Sequence, residues 1–311
     1  KITRITDKKV SLRRTIEAGT EEQRKIVQSI ISTVREKGDA ALFSYTETFD
    51  NVSLSSLKVT EDEYSAAYKE LDDEMIEIIR EAAANIRSFH EKQKRESWIS
   101  YNDEGTMLGQ KITALDAVGV YVPGGTAAYP SSVLMNVIPA QVAGVKRIVI
   151  TSPPNGQGTL PAGVLVAANE LGIAEIYKVG GAQAIAALAY GTESIEPVDK
   201  IMGPGNIFVA LAKREVFGMV AIDMIAGPSE IVVLSDETAR ANEIAADLLS
   251  QAEHDKNSSS ILVTTSMKQA EEVKAEVEKQ VAVLPRAEIA KASIEAFGHI
   301  YVADDLETAI A

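Results

Sequence analysis

The sequence predicts an α/β fold with two Rossmann-like parallel-sheet domains and a helical N-terminal portion. Three observations predict it. Apolar residues recur at helical spacing through residues 21–94, short β-rich segments alternate with helical patterns after about residue 117, and several of those segments are followed by glycine. Strands that alternate with helices are typical of a parallel sheet flanked by helices.

Two long helices are predicted in the N-terminal portion. The first covers residues 21–35, where isoleucine and valine recur on one face, and Gly38 follows as a stop signal. The second covers residues 61–94, with an apolar stripe along one side and an interruption considered near residues 71–73.

Seven strands are predicted after residue 117, at residues 118–122, 147–151, 175–179, 200–202, 231–234, 261–264 and 299–302. Because seven strand-to-helix units exceed one small sheet, we expect two Rossmann-like domains. The predicted parts are an N-terminal arm, an inserted Rossmann-like domain and a discontinuous α/β domain, at residues 1–20, at residues 120–229, and at residues 21–119 together with 230–311.

The composition of the chain excludes several classes of function. A net charge of −14 argues against a nucleic-acid surface, since phosphate binding requires concentrated Lys and Arg. No segment reaches the roughly 18 apolar residues of a membrane span, so we expect no membrane partner and a cytoplasmic location. The absence of cysteine excludes disulfides, thiolate metal ligands and cysteine nucleophiles.

Four glycine-containing turns are expected at the carboxyl ends of strands, at residues 123–125, 180–181, 203–206 and 226–229. Backbone amides can approach a phosphate there, and helix N-termini favour anions. None of the turns matches Gly-x-Gly-x-x-Gly, and each alone is equally explained as a tight turn. Four on one edge favour a ligand cleft, to which Gln183 and Asn206 offer amides and Tyr121 offers a hydroxyl.

Gln251 and His254 are the candidate metal ligands. A spacing of three residues places them on one face in the last turn of a predicted helix, whose C-terminal end favours a cation. The spacing alone is a weak signal, because most such pairs are solvated helix ends, and Asp255 is a rival partner for Gln251. His90 is expected on a charged surface and His299 at the start of a strand, which leaves His254 as the preferred histidine.

Five motifs, taken together and in this order, resemble those of histidinol dehydrogenase: Tyr-Val-Pro-Gly-Gly at residues 121–125, Gly-Gly-Ala-Gln-Ala-Ile-Ala-Ala at 180–187, Lys-Ile-Met-Gly-Pro-Gly-Asn at 200–206, Asp-Met-Ile-Ala-Gly-Pro-Ser-Glu at 223–230 and Gln-Ala-Glu-His at 251–254. The resemblance extends over nearly the whole chain and implies an architecture like that of aldehyde dehydrogenases. It also implies a zinc-dependent enzyme of histidine biosynthesis, which oxidises L-histidinol through the aldehyde L-histidinal to L-histidine with two NAD.

The resemblance implies roles for individual residues. Three match positions that contact NAD: Tyr121, Gln183 and Asn206. Three match substrate contacts, and the last two of them also match zinc ligands: Ser229, Gln251 and His254. A homodimer is implied as well, with an active site that borrows residues from the partner subunit. Zinc suits N and O ligands and is redox-inert, while the nicotinamide accepts the electrons; manganese or cobalt could replace zinc in such a site.

The sequence departs from the family pattern at its C-terminal end. In the family, a Glu-His pair that serves as general base, an Asp zinc ligand and a distal Glu and His all follow the segment that resembles residues 297–311. None of them is present up to Ala311, and both ends of the chain look cut. We therefore expect the small C-terminal domains to be absent and this polypeptide to be inactive or nearly so, since base catalysis typically contributes about 10²–10⁴ in rate.

Two other functions were weighed against the enzyme. An aldehyde dehydrogenase or acyl-phosphate reductase requires a cysteine thiolate for its covalent intermediate, so a chain without cysteine excludes both. A non-catalytic module that retains only the binding cleft stays open. The presence of Ser229, Gln251 and His254 favours the enzyme.

Overall fold

The computed structural model describes residues 1–5, 19–124, 129–225 and 229–311. The chain divides into two compact units, one of residues 17–225 and the other of residues 1–16 with 226–311. No helix in these described ranges combines the length and the hydropathy that a membrane span requires.

The larger unit begins with four helices, α1 Glu21–Lys37, α2 Asp39–Asp50, α3 Glu61–Glu70 and α4 Asp73–Glu91. Capping boxes start two of them: Thr20 with Gln23 begins α1, and Thr60 with Glu63 begins α3. Asp72 accepts a hydrogen bond from the backbone of Met75 and so starts α4. The interruption considered in the second long helix is therefore present, at residues 71–72.

A β-hairpin follows these helices and was not predicted. Its strands β2 Trp98–Tyr101 and β3 Met107–Gln110 pair antiparallel, and all eight residues are exposed. The Asn102 side chain accepts hydrogen bonds from the backbone of Glu104 and Thr106, which closes the turn. With both faces exposed, the strands lack the polar and apolar alternation that identifies a strand in a sequence.

The larger unit then forms a five-stranded parallel sheet in the order β6-β5-β4-β7-β8. The strands are β4 Ala117–Tyr121, β5 Arg147–Ser152, β6 Glu175–Lys178, β7 Lys200–Met202 and β8 Ala221–Ile222, and the helices between them are α5 Pro130–Ala143, α6 Ala162–Glu170, α7 Gly181–Tyr190 and α8 Ile207–Val216. Four of these strands confirm the prediction, whereas β8 has only two residues and gives no pattern. The strand order reverses between β4 and β7, which is where ligands bind in open α/β sheets.

The N-terminal helices pack on this sheet's layer of helices. Helix α1 lies on α7 and α8, α3 lies on α6, and α4 lies on α5. The buried stripe of α1, with Val27 and Ile30, joins one apolar core with Ile185 and Leu188 of α7. The prediction groups residues 21–119 with residues 230–311, whereas residues 17–225 form one compact unit. An amphipathic stripe identifies the buried face of a helix, but it does not identify which surface covers that face.

The smaller unit contains a second parallel sheet, in the order β1-β11-β10-β9. Its strands are β1 Ile2–Ile5, β9 Glu230–Ser235, β10 Ser259–Thr264 and β11 Gly298–Ala303, and its helices are α9 Ala241–Ala252, α10 Met267–Val281, α11 Ala287–Phe297 and α12 Leu306–Ile310. The three strands predicted here are confirmed, and two parallel sheets agree with the predicted fold class. Strand β1, within the expected arm, and helix α11 were not predicted.

Candidate functional site

The larger unit contains a cleft of about 620 Å³ at the carboxyl ends of its strands. The turns after β4 and β5 and the first turns of α7 and α8 form one side, and helices α1 and α2 form the other. The residues of these walls include Pro123, Pro153, Gly181, Gln183 and Asn206 on the first side and Ile26, Ile30, Phe49 and Asp50 on the second. Three of the four predicted glycine turns therefore contribute residues to one cleft. Gly125, the last residue of the first of these turns, lies outside the described residues.

Packing explains the glycines at positions 124 and 180, which lie at the carboxyl ends of β4 and β6. A Cβ added at Gly124 or at Gly180 would overlap the ring of Pro153. The absence of a side chain at both positions lets the turns after β4 and β6 close on the turn after β5. These glycines are therefore required for the shape of the cleft, whether or not a phosphate approaches them.

Tyr121 connects the end of β4 to the start of α7. Its side chain is buried, and its hydroxyl accepts a hydrogen bond of 3.1 Å from the backbone N–H of Gly181. Burial raises the pKa of Tyr121 to about 12, so the phenol is neutral and keeps a proton to donate. The ring thus orients the first turn of α7, and the hydroxyl offers one donor beside the cleft.

Gln183 has an unused hydrogen-bonding group in the cleft. The side chain is 2% exposed, and its amide oxygen Oε1 is buried without a partner among the described residues. Leaving such an acceptor unpaired costs roughly 1–3 kcal/mol, and buried groups of this kind usually have a specific reason. A ligand that donates a hydrogen bond in the cleft would satisfy it.

Asn206 uses half of its side chain to start α8. Its Oδ1 accepts hydrogen bonds from the backbone N–H groups of Phe208 and Val209, at 3.0 and 3.2 Å. The oxygen is therefore occupied as a helix cap, and the amide nitrogen Nδ2 is the atom that can donate to a ligand. The role predicted for this residue is thus reduced to one donor.

Asp50 is a site residue that the sequence analysis missed. It is the last residue of α2, it lines the cleft, and its Oδ2 is buried without a partner in the described part of the chain. Burial raises the pKa of this carboxyl to about 6. Helix C-termini favour basic residues, but Asp50 is an acidic residue at the C-terminal end of α2, whose last turn has no basic residue. This departure from the usual pattern is the feature by which the sequence could have identified Asp50 as a candidate site residue.

In the smaller unit, Gln251 and His254 lie at the end of α9. The helix ends at Ala252, and His254 follows in a turn in which its N–H donates to the carbonyl oxygen of Gln251 at 3.2 Å. Gln251 is half-buried with an unpartnered Nε2 among the described residues, while His254 is exposed. The rival Asp255 accepts a hydrogen bond from the backbone of Asn257.

Ser229 lies at the same edge of the smaller sheet. It immediately precedes β9, and its carbonyl oxygen accepts a hydrogen bond of 3.1 Å from the N–H of Ser259, the first residue of β10. The next residue, Ser260, donates to the carbonyl oxygen of Leu248 near the end of α9. Ser229 is therefore at the amino end of a strand rather than at a carboxyl end as expected, and residues 226–228 of its turn lie outside the described residues.

The donor types at the end of α9 fit zinc, but their number does not complete a site. Amide oxygen and imidazole nitrogen are donors that zinc accepts, and a protein zinc site usually has four ligands, or three with one open position. Within the ranges that the structure describes, no three His, Asp or Glu side chains are grouped to hold a metal. As metal ligands, Gln251 and His254 would therefore supply only two of a larger set.

Comparisons with known proteins agree on one family. The sequence model of the histidinol dehydrogenase family matches residues 13–311. Histidinol dehydrogenases from Geobacillus kaustophilus and Bacillus subtilis are 73% and 66% identical, over 97% of this chain and 71% of each relative. The crystal structure of histidinol dehydrogenase from Elizabethkingia anophelis superposes with a TM-score of 0.90 at 42% identity, over 94% of this chain and 67% of that one.

The sequence motifs, the two parallel-sheet units and the comparisons lead to the same assignment. The family match covers almost all of the chain, and the identity to curated relatives is far above what a shared fold alone produces. The chain belongs to the histidinol dehydrogenase family, the oxidoreductases that carry out histidinol oxidation in histidine biosynthesis.

Proposed function

We propose that the cleft of the larger unit binds NAD and that the protein uses it to oxidise L-histidinol through L-histidinal to L-histidine. One observation carries this proposal. Tyr121, Gln183 and Asn206 come from three separate motifs, and all three line the cleft at the reversal of strand order. NAD, when bound, supplies the acceptor for the hydride removed in each of the two oxidations.

The side chains of the cleft offer complementary groups to a dinucleotide. The first turn of α7, which begins at Gly181, favours an anion such as a pyrophosphate. Gln183 Oε1 accepts a hydrogen bond, whereas Tyr121 and the Nδ2 of Asn206 donate. The prolines after β4 and β5 and the apolar side chains of α1 and α2 keep water from much of the surface. In this proposal these residues bind and orient the cofactor.

Replacing Gln183 tests the cofactor site. Gln183→Met keeps the volume and removes the amide, so we expect the Kd for NAD to rise about tenfold, the loss of about one hydrogen bond. Isothermal titration of the purified chain with NAD measures it. Gln28→Met, the same change at an exposed position of α1, is the matched control and leaves the Kd unchanged. An unchanged Kd in Gln183→Met contradicts the proposed site.

We propose that Gln251 and His254 bind a divalent metal, zinc by the family resemblance. The negative end of α9 favours a cation at this position. The half-buried amide of Gln251 has an unpartnered end among the described residues, and a rotation of the amide exchanges its oxygen and nitrogen. Gln251 and His254 would hold the metal, which when bound would supply a Lewis acid that orients the substrate, and Ser229 lies at the same edge of the smaller sheet.

Removing either ligand is expected to weaken zinc binding by more than the roughly tenfold to hundredfold that outer-shell changes cause. Gln251→Ala and His254→Ala are compared with the unmodified chain by titration with zinc in the presence of a competing chromophoric chelator. His90→Ala is the control, since His90 is on α4 of the larger unit and contacts Gln93. Equal zinc affinity in all four proteins would exclude the pair as ligands.

We propose a homodimer in which the hairpin β2–β3 contacts the second copy. Trp98, Ile99, Tyr101, Met107 and Leu108 are between 53% and 72% exposed, and an apolar surface of this kind is typical of an interface. We expect a particle of twice the 33.3 kDa of one chain, reduced to one chain by Trp98→Ser combined with Leu108→Ser. Light scattering measures it, with the exposed Phe217→Ser as control. A monomeric unmodified chain contradicts the proposal.

A further inference from the structure

Asp50 is placed in the cleft at an energetic disadvantage. Its carboxyl is at the C-terminal end of α2, where the helix dipole is negative, and Oδ2 is buried without a partner in the described part of the chain. The next residue, Asn51, has φ of 55° and turns the chain away, which leaves the carboxyl at the edge of the cleft. A carboxylate that costs stability in the ligand-free protein is expected to have a ligand.

The surroundings of Asp50 restrict the chemistry of that ligand. Asp50 is the one charged side chain among the described residues that line the cleft. A single carboxylate with no second acid in the described lining is a weak site for a divalent cation, which requires several oxygen ligands. It is a good acceptor for two hydroxyl groups on neighbouring carbons, because each carboxylate oxygen can accept one hydrogen bond.

The position of Asp50 fits the ribose attached to the adenine of a dinucleotide. Phe49 precedes it, and the ring of Phe49 forms an apolar wall with Ile26 and Ile30. An adenine packed on this wall would place its ribose beside the next residue in the chain. A phosphate on the 2′ hydroxyl would meet the Asp50 carboxylate and no cationic side chain of the described lining; Lys25 belongs to a neighbouring depression behind Ile26 and Phe49.

We propose that Asp50 accepts hydrogen bonds from the ribose hydroxyls of the bound dinucleotide and that it makes the protein select NAD over NADP. This inference rests on the proposed function of the cleft. It assigns cofactor selectivity to a helix outside the strand-turn-helix units, whereas the ribose-binding acid of a standard Rossmann domain follows its second strand.

The test compares the Kd values of NAD and NADP in the unmodified chain and in Asp50→Asn, by isothermal titration above pH 7. We expect NAD to bind at least tenfold more weakly to Asp50→Asn, as charge-assisted hydrogen bonds are lost, and NADP to bind no more weakly. Glu47→Gln makes the same charge change on the exposed side of α2 and leaves both Kd values unchanged. A ratio of the two Kd values that stays within threefold in Asp50→Asn overturns the inference.

Two further measurements separate the possible failures. If NAD binding depends on Gln183 while Asp50→Asn changes both dinucleotides equally, the inference fails and the cleft remains the cofactor site. If neither residue affects NAD binding, the proposed function of the cleft fails. The thermal midpoint of ligand-free Asp50→Asn is expected to be higher than that of the unmodified chain above pH 6. A lower midpoint in that range contradicts the stated cost of the buried carboxylate.

The sign of that stability effect follows from the pKa of Asp50. The folded pKa of about 6 exceeds the ordinary value of 3.8, so the folded chain binds the proton more tightly than the unfolded chain does. The carboxylate therefore destabilises the folded state as the pH rises through this window. Below pH 3.8 the group is protonated in both states, and the advantage of Asp50→Asn disappears.

Discussion

A polypeptide that ends at Ala311 is expected to oxidise L-histidinol about 10²–10⁴-fold more slowly than one that continues with the segment its relatives contain. By the family resemblance, the general base and the remaining zinc ligands are expected in that segment. As proposed ligands, Gln251 and His254 would supply two metal donors, and the described residues contain no group of three His, Asp or Glu side chains that could hold a metal. Cofactor binding is expected to be retained, since the cleft is formed within the larger unit.

The assay records NADH formation from L-histidinol, with saturating NAD and added zinc. Residues 1–311 are compared with the same residues joined to the remaining C-terminal part of the Geobacillus kaustophilus enzyme, of which this chain covers 71%. Equal Kd values for NAD in both proteins are the control for folding of the cleft. Equal turnover refutes the expectation, and NAD binding without turnover in the joined protein favours a non-catalytic binding module.

Most strands of the two sheets could be predicted because buried strands contain consecutive apolar residues. Strands β4 and β10 are buried at every position; β4 is apolar throughout, and β10 is apolar at residues 261–263, which lie within the predicted strand. Strand β1 has two exposed residues of four, and β8 has two residues in all, so neither forms a pattern. The edge strands β6 and β9 were predicted all the same, so local periodicity misses strands that are short or that have few apolar residues, rather than edge strands as such.

The side of the cleft formed at the ends of strands could be predicted from the sequence. The opposite side, formed by helices α1 and α2, could not. Tyr121, Gln183 and Asn206 were expected together because each lies at or just after the carboxyl end of a strand of one parallel sheet, and those ends share an edge. Asp50 was missed because it is placed by the packing of α1 and α2 on α7, a contact between residues far apart in the chain. The grouping of elements into domains likewise depends on contacts between residues far apart in the chain, which a local sequence pattern does not reveal.

Gly203→Ala is expected to reduce the free energy of unfolding by on the order of 4 kcal/mol. Gly203 follows β7 with φ of 109°, a conformation that costs other residues roughly 1–3 kcal/mol. An added Cβ would also overlap the carbonyl oxygen of Tyr121 and lie 3.1 Å from its carbonyl carbon. These are backbone atoms of β4, which pairs with β7, so the clash cannot be relieved by a side-chain rotation and contributes about 1–3 kcal/mol more.

Gly218→Ala separates the two contributions to this loss. Gly218 has a similar φ of 104°, and a Cβ added there meets no atom within 4 Å, so this variant loses only the conformational part. Urea unfolding followed by circular dichroism measures both variants, and equal losses would show that the contact with Tyr121 does not matter.

The Gly203 substitution is expected to weaken NAD binding as well as folding. The N–H of Gly203 donates to Asp223 at 2.9 Å, its carbonyl oxygen accepts from Lys213 at 3.0 Å, and Lys213 and Asp223 form an ion pair. This network stabilises the turn that ends at Asn206. The Cβ added at Gly203 would also press on the backbone of Tyr121. Since β4 and β7 separate at this point to open the cleft, one glycine determines both how closely the strands pair and where Tyr121 and Asn206, two of the side chains proposed to bind the cofactor, lie.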